Sequence, residues 1–172
     1  MPIVPFDSLP DDARVWVFGT DRALTAAEAQ RLLGVVDTYL ARWAAHGTPL
    51  ASARDWRDDH FLTIAVDQRA AGASGCSIDA LFHQLQELER ALGLSIVGGG
   101  RVFWRDAQGV VEAAGRSAFA DLAERGAVSP ATPVFDPTVT SLGAWRSGFE
   151  RRASESWHAQ LMPAAVEGAA DR

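Results

Sequence analysis

Two stretches with no polar side constrain this chain more than anything else in it: Arg14-Val15-Trp16-Val17-Phe18 and Phe61-Leu62-Thr63-Ile64-Ala65-Val66. Both read as strands. A strand lacking hydrophobic/polar alternation has to be covered on both sides, which places it at the centre of a sheet. An amphipathic helix follows each one. The first opens on a capping box, with Thr25 at the N-cap and Glu28 three residues on. Its apolar stripe is Ala29, Leu32, Leu33, Val36, Leu40 and Trp43, and Gly47, just after His46, is the expected stop. The second carries Ile78, Leu81, Phe82, Leu85, Leu88 and Leu92 on one face and is stopped by Gly93. Between them, Leu50–Trp56 reads as a weaker edge strand, and Arg57-Asp58-Asp59 as a turn. Arg101–Arg105 and Val110–Ala113 form an expected hairpin around Ala107-Gln108-Gly109.

That order is β-α-β-β-α-β. It predicts an α+β fold, a ferredoxin-like antiparallel sheet with two helices on one face. Residues 1–100 would form this core. Residues 101–161 would supply the sheet-completing hairpin and a C-terminal β-α-β extension, and 162–172 a disordered tail. Two helices cover only one sheet face, so the other needs a cover, expected from 115–161 with its aromatics Trp145, Phe149 and Trp157.

Composition narrows the function. The net charge is −6, which argues against nucleic acid as the main partner, because phosphate contacts need a basic footprint. All 16 basic residues are arginine. Without lysine, Schiff-base chemistry and the lysine-bearing phosphate loop are excluded. No run of about 18 apolar residues predicts a membrane span. With no signal-like N-terminus and a single cysteine, a cytoplasmic protein of bacterial type is expected, with no intrachain disulfide.

The predicted topology gathers chemistry at one end of the sheet. If the first strand runs up, His46, Asp67, Cys76 and Asp79 all fall at the bottom. Cys76 stands at the mouth of the second helix, in Ala73-Ser74-Gly75-Cys76-Ser77. A helix start offers unpaired N–H groups and partial positive charge, which favour a thiolate or a bound anion. The leading expectation is therefore a ligand-binding or accessory protein. It would hold a small anion with Asp67, Ser74, Gly75, Cys76, Ser77 and His83. One alternative is a cysteine enzyme, with Cys76 as nucleophile, His46 as base and Asp67 or Asp79 as the orienting carboxylate. Cys76, Asp79, His83 and His46 lack tight ligand spacing, so no metal is expected, and no cofactor. Gly98-Gly99-Gly100 reads as a connection and not a phosphate cradle, since no helix start follows it.

Two resemblances add to this. Trp43–Leu50, Phe61–Asp67 and Ala73–Asp79 resemble a family of uncharacterised small bacterial proteins, some labelled "ABC transporter ATPase". The label implies ATP hydrolysis, for which this chain has no lysine-bearing phosphate loop. The segment Phe119–Phe135 is similar to the second half of GYF-like modules, where a short helix, a glycine and a Pro-x-Thr turn precede a strand. Those modules are adaptors, some binding proline-rich peptides. The resemblance implies a second alternative, a protein–protein adaptor working through residues 101–161.

Overall fold

A computed structural model describes residues 3–45, 47–69 and 75–164, the side chains at 44, 45, 48 and 75–77 excepted. Most of the tail expected to be disordered thus lies outside the described residues. Among the described residues the fold is mixed α+β, with four α-helices, two antiparallel sheets and a short two-stranded ladder. The chain divides into two compact units, Met1–Gly99 with Asp136–Phe149, and Gly100–Phe135 with Glu150–Arg172.

The first unit holds β1 (Arg14–Gly19), α1 (Ala26–Arg42), the ladder β2 (Ala44–Ala45) and β3 (Thr48–Pro49), β4 (Ser52–Arg57), β5 (Phe61–Val66) and α2 (Gly75–Leu92). Its sheet has the order β1-β5-β4, with β5 antiparallel to both neighbours. Every residue of β5 is buried, as a strand without a polar face requires. The α1 capping box forms as read: Thr25 Oγ1 accepts from the Glu28 N–H at 3.2 Å, and Glu28 Oε2 accepts from the Thr25 N–H at 2.9 Å. The helix ends at Arg42, one turn earlier than Gly47 suggested. Gly47, at φ 80°, instead serves the turn between β2 and β3. Asp58 and Asp59 turn the chain from β4 to β5 with φ of 55° and 53°. This is the left-handed region, which aspartate tolerates better than most side chains.

The face of the sheet turned to α1 and α2 carries Phe18, Leu62, Ile64 and Val66, packed with Leu32, Val36, Leu40, Leu81 and Leu85. The opposite face carries Val15, Ala53 and Ala65. Leu9, Leu142, Val139 and Trp145 cover it, the last from α4 (Leu142–Gly148). The expected cover is therefore present in part, and within this unit it comes from 136–149.

The ferredoxin-like sheet is not completed. A fourth strand beside β1 was expected from Arg101–Arg105, and that segment pairs elsewhere. The free edge of β1 is taken at its start by the returning chain. The Val15 N–H donates to the Thr140 carbonyl at 3.0 Å, and Arg14 forms a bridge with Ser141. Arg101–Arg105 has a core of its own to build.

That core is the second unit: β6 (Arg101–Arg105), β7 (Val111–Gly115), α3 (Arg116–Glu124), β8 (Pro133–Phe135) and β9 (Glu150–Arg152). The sheet order is β7-β6-β8-β9. Asp106 closes the predicted hairpin, accepting from the Gln108 and Val110 N–H groups at 2.8 and 3.0 Å. Val102, Trp104 and Val134 pack with Phe119 and Ala123 of α3, Val128 and Ala153.

Candidate functional site

His46 and Ser74 lie outside the described residues. Gly75, Cys76 and Ser77 open α2, but their side chains lie outside the description too. Asp67, just past β5, is engaged locally. Its carboxylate accepts from the Arg69 backbone N–H at 3.0 Å and from the Arg69 guanidinium at 2.8 Å. Arg69 accordingly holds the Asp67 carboxyl below the usual range. Asp79 and His83 are both exposed on α2, four residues apart and turned away from the stripe of Ile78, Leu81 and Leu85. No group of three His, Cys, Asp or Glu side chains that could hold a metal occurs among the described residues.

The geometry does bring a different set together at the expected end of the sheet. Arg14 opens β1 opposite Val66, the residue before Asp67. Tyr39 and Trp43 occupy the last turn and C-cap of α1. Asp79 lies near the start of α2, close enough for its charge to act on Tyr39. The rings form a continuous cluster. Tyr39 and Trp43 have centroids 5.5 Å apart, Trp43 and Trp16 are at 5.9 Å, and the Arg14 guanidinium lies 5.1 Å from the Trp16 centroid.

Two polar atoms in this cluster are buried without a hydrogen-bond partner among the described residues, the Tyr39 hydroxyl and the Trp43 indole N–H. Trp43 is only 3% exposed. A buried donor left unmade costs roughly 1–3 kcal/mol, and tyrosine and tryptophan tips are ordinarily paired when buried. Burial first, and the Asp79 charge second, push the Tyr39 hydroxyl up to about 12, so it remains a donor at neutral pH.

Sequence reasoning placed Trp43 on the apolar stripe and passed over Tyr39. The signal was the pair itself. Aromatic residues with polar tips, spaced i and i+4 at the end of a helix, share one face and need acceptors.

No protein-family model, curated protein or solved structure matches this chain. No helix among the described residues is long and apolar enough to cross a membrane.

Proposed function

We propose that the protein is a ligand-binding or accessory protein whose site lies where α1 ends and α2 begins, and that its ligand is a small anion. One observation carries this reading: the Tyr39 hydroxyl and the Trp43 indole N–H are buried there with no hydrogen-bond partner among the described residues. An anionic oxygen at that end would satisfy both donors and meet the positive end of the α2 dipole. Asp79 is a like charge beside Tyr39, so a monoanion such as a carboxylate is favoured over a dianion.

Thermal-shift titration with formate, acetate, phosphate and sulfate tests this. Binding at 100 times Kd stabilises by about 2.7 kcal/mol. Acetate is expected to raise Tm and to change tryptophan fluorescence, and Trp43→Phe, which keeps a ring and deletes the donor, is expected to remove most of the effect. No stabilisation by any of the four anions would sink the reading.

A second reading, the adaptor, is supported by the second unit's element order. It runs strand-strand-helix-strand-strand in one sheet, with Gly126 at φ 73° after α3. The Ser129–Thr132 turn before β8 closes with the Ser129 N–H donating to Thr132 Oγ1 at 2.8 Å. Fold order alone does not fix function. Titration of the full chain with a proline-rich peptide tests it, with shifts expected at residues 101–135 and 150–161 and at no residue of the first unit.

A further inference from the structure

The two sheets differ in how their edges are guarded. An edge strand presents a row of unpaired N–H and C=O groups, which chains protect with charge, proline or a covering segment. In the first unit, β1 is met at its start by Thr140 and Ser141. β4 is met at Ser52, whose carbonyl accepts from the Val4 N–H at 2.9 Å, and beyond it carries Arg54, Asp55 and Arg57. In the second unit the outer strands are β9 and β7. β9 is charged throughout, as Glu150-Arg151-Arg152. β7 is Val111-Glu112-Ala113-Ala114-Gly115, with a single charge and no proline.

Register shows which backbone groups of β7 face out. The Asp106 N–H donates to the Val110 carbonyl at 2.9 Å, so these two residues are a hydrogen-bonded pair. Bonded and non-bonded pairs alternate along an antiparallel ladder. Glu112 and Ala114 therefore bond inward, opposite Trp104 and Val102, while Val111, Ala113 and Gly115 turn outward. Val111 and Ala113 offer both N–H and C=O. Gly115 offers its N–H, since its carbonyl, at the N-cap of α3, accepts the first bond of that helix. Among the described residues no backbone group pairs with this row. The space beside it is open. A Cβ at Gly115 would find nothing within 4 Å. Val110, at the head of the edge, is 53% exposed, and no other large apolar side chain among the described residues is exposed.

An open edge of this kind accepts an extended strand, and β7 is complementary to itself. Let two β7 strands run antiparallel about Ala113. The two Ala113 residues exchange both bonds, and each Gly115 N–H meets the Val111 carbonyl of the second copy. Glu112 falls opposite Ala114 of the second copy. Arg116 of that copy follows Ala114 by two residues as α3 begins, and lies diagonal to Glu112, about 7–8 Å away. Glu112 and Arg116 are exposed, and neither forms an ion pair among the described residues. Moving the centre to Glu112 sets two carboxylates face to face, and moving it to Ala114 asks the Gly115 carbonyl for a second bond. We propose that β7 is a dimerisation edge, pairing with β7 of a second copy about Ala113 and joining two four-stranded sheets across a two-fold axis. The contact is short, so the dimer belongs to the weak, concentration-dependent class. It involves the second unit alone and stands apart from the anion reading.

Sedimentation velocity of the full chain from about 10 µM to 1 mM, the range of a weak contact, tests this. The wild-type chain is expected to pass from monomer to dimer, and its Ala113 and Gly115 amides to exchange more slowly as the dimer fills. Ala113→Pro deletes the central outward donor, leaves the bonds to β6 in place, and is expected to stay monomeric. Glu112→Arg leaves only guanidinium groups at the contact, and Arg116→Glu only carboxylates. Symmetry counts each change twice, so each is expected to weaken the dimer at least about tenfold. Both positions are exposed, so these chains keep their fold. An equimolar mixture of the two sets every arginine against a glutamate and is expected to restore the dimer. A wild-type chain monomeric throughout, a dimer undiminished in Ala113→Pro or in either charge variant, or a mixture that stays monomeric would overturn the proposal.

Discussion

Arg105 on β6 grips Glu150 on β9 across the width of β8. Its Nε lies 2.6 Å from Oε1 and its Nη2 3.1 Å from Oε2, while the guanidinium carbon sits 5.0 Å from the ring centroid of Phe135 on the strand between. Both side chains are 22% exposed. Lysine keeps the charge and loses the planar fork that makes the double contact and the stacking. Arg105→Lys is therefore expected to destabilise the second unit by about 1–2 kcal/mol, and Glu150→Gln by a similar amount. Urea unfolding followed by hydrogen exchange at β8 and β9 amides checks this. Unchanged protection in both variants would mean that the strands hold without the pair.

Tyr39 is the only tyrosine in the chain, so tyrosinate absorbance reads it alone. Its pKa is pushed up to about 12, by burial and then by Asp79. A group whose folded pKa lies above its unfolded value supports the fold fully below the unfolded value. That support disappears as pH rises through the folded one. The alkaline titration is expected to centre near 12, and stability to fall between roughly pH 10 and 12. Asp79→Asn should bring the midpoint part of the way back toward 10, burial being the larger cause. A midpoint at 10 in the wild-type chain would show the hydroxyl to be solvated, and the donor argument at this end would lose half its basis.

The fold was legible where local chemistry suffices and obscure where distance decides. Thr25 and Glu28 announced α1 because a capping box is written within four residues. β5 announced its central position because Phe61–Val66 has no polar face, and all six of its residues are buried. The partner of β6 was misread, since Val102, Phe103 and Trp104 look as suitable for one sheet as for another. Pairing is settled by tertiary packing, and the start of the β1 edge is taken by Thr140 and Ser141. Leu142–Gly148 spans too few residues to show a helical period, so its return to the first unit was hidden. At the site, the topology argument brought the end of α1 and the start of α2 together. It did not reveal Tyr39 or Trp43 as unsatisfied donors, because hydrogen-bond satisfaction is a property of packing and not of residue type.

The α1 cap has a pH signature. Arg22 contacts Glu28 at 2.7 and 2.8 Å, and the Thr25 N–H donates to the same carboxylate. Arg22 first, and the Thr25 backbone second, lower the Glu28 carboxyl to about 2. Its folded value lies below the ordinary 4.5, so its contribution is complete above that pH and fades as pH falls toward 2. The stability difference between the wild-type chain and Glu28→Gln should be flat at neutral pH and shrink through the acid range. Thr25→Ala removes the other half of the box and should cost about 1 kcal/mol with much less pH dependence. Parallel acid dependence in the two variants would show that the Thr25 hydroxyl and the Glu28 carboxylate act as one unit, and that the arginine contact is not the main source of the pH signature.

Gly143 tests how firmly α4 is held against the first unit. Its N–H donates to the Asp11 carbonyl at 2.8 Å, and Arg146, one turn on, contacts the Asp11 carboxylate at 2.6 Å. A Cβ at position 143 would lie 3.1 Å from the Asp11 Cβ and 3.3 Å from the Asp11 carbonyl oxygen. Two effects compete in Gly143→Ala. Helix propensity favours alanine by up to about 1 kcal/mol. Against it, neither contacted atom can swing away, since one is bonded to the backbone and the other belongs to it, and overpacking of this kind costs about 1–3 kcal/mol. The clash wins, and the variant is expected to be destabilised by about 1 kcal/mol. Because Leu142 and Trp145 ride on the same short helix, the loss should be accompanied by a change in the environment of Trp145, visible in its indole resonance. A stabilised Gly143→Ala with an unmoved Trp145 would show that the N-terminal segment yields instead.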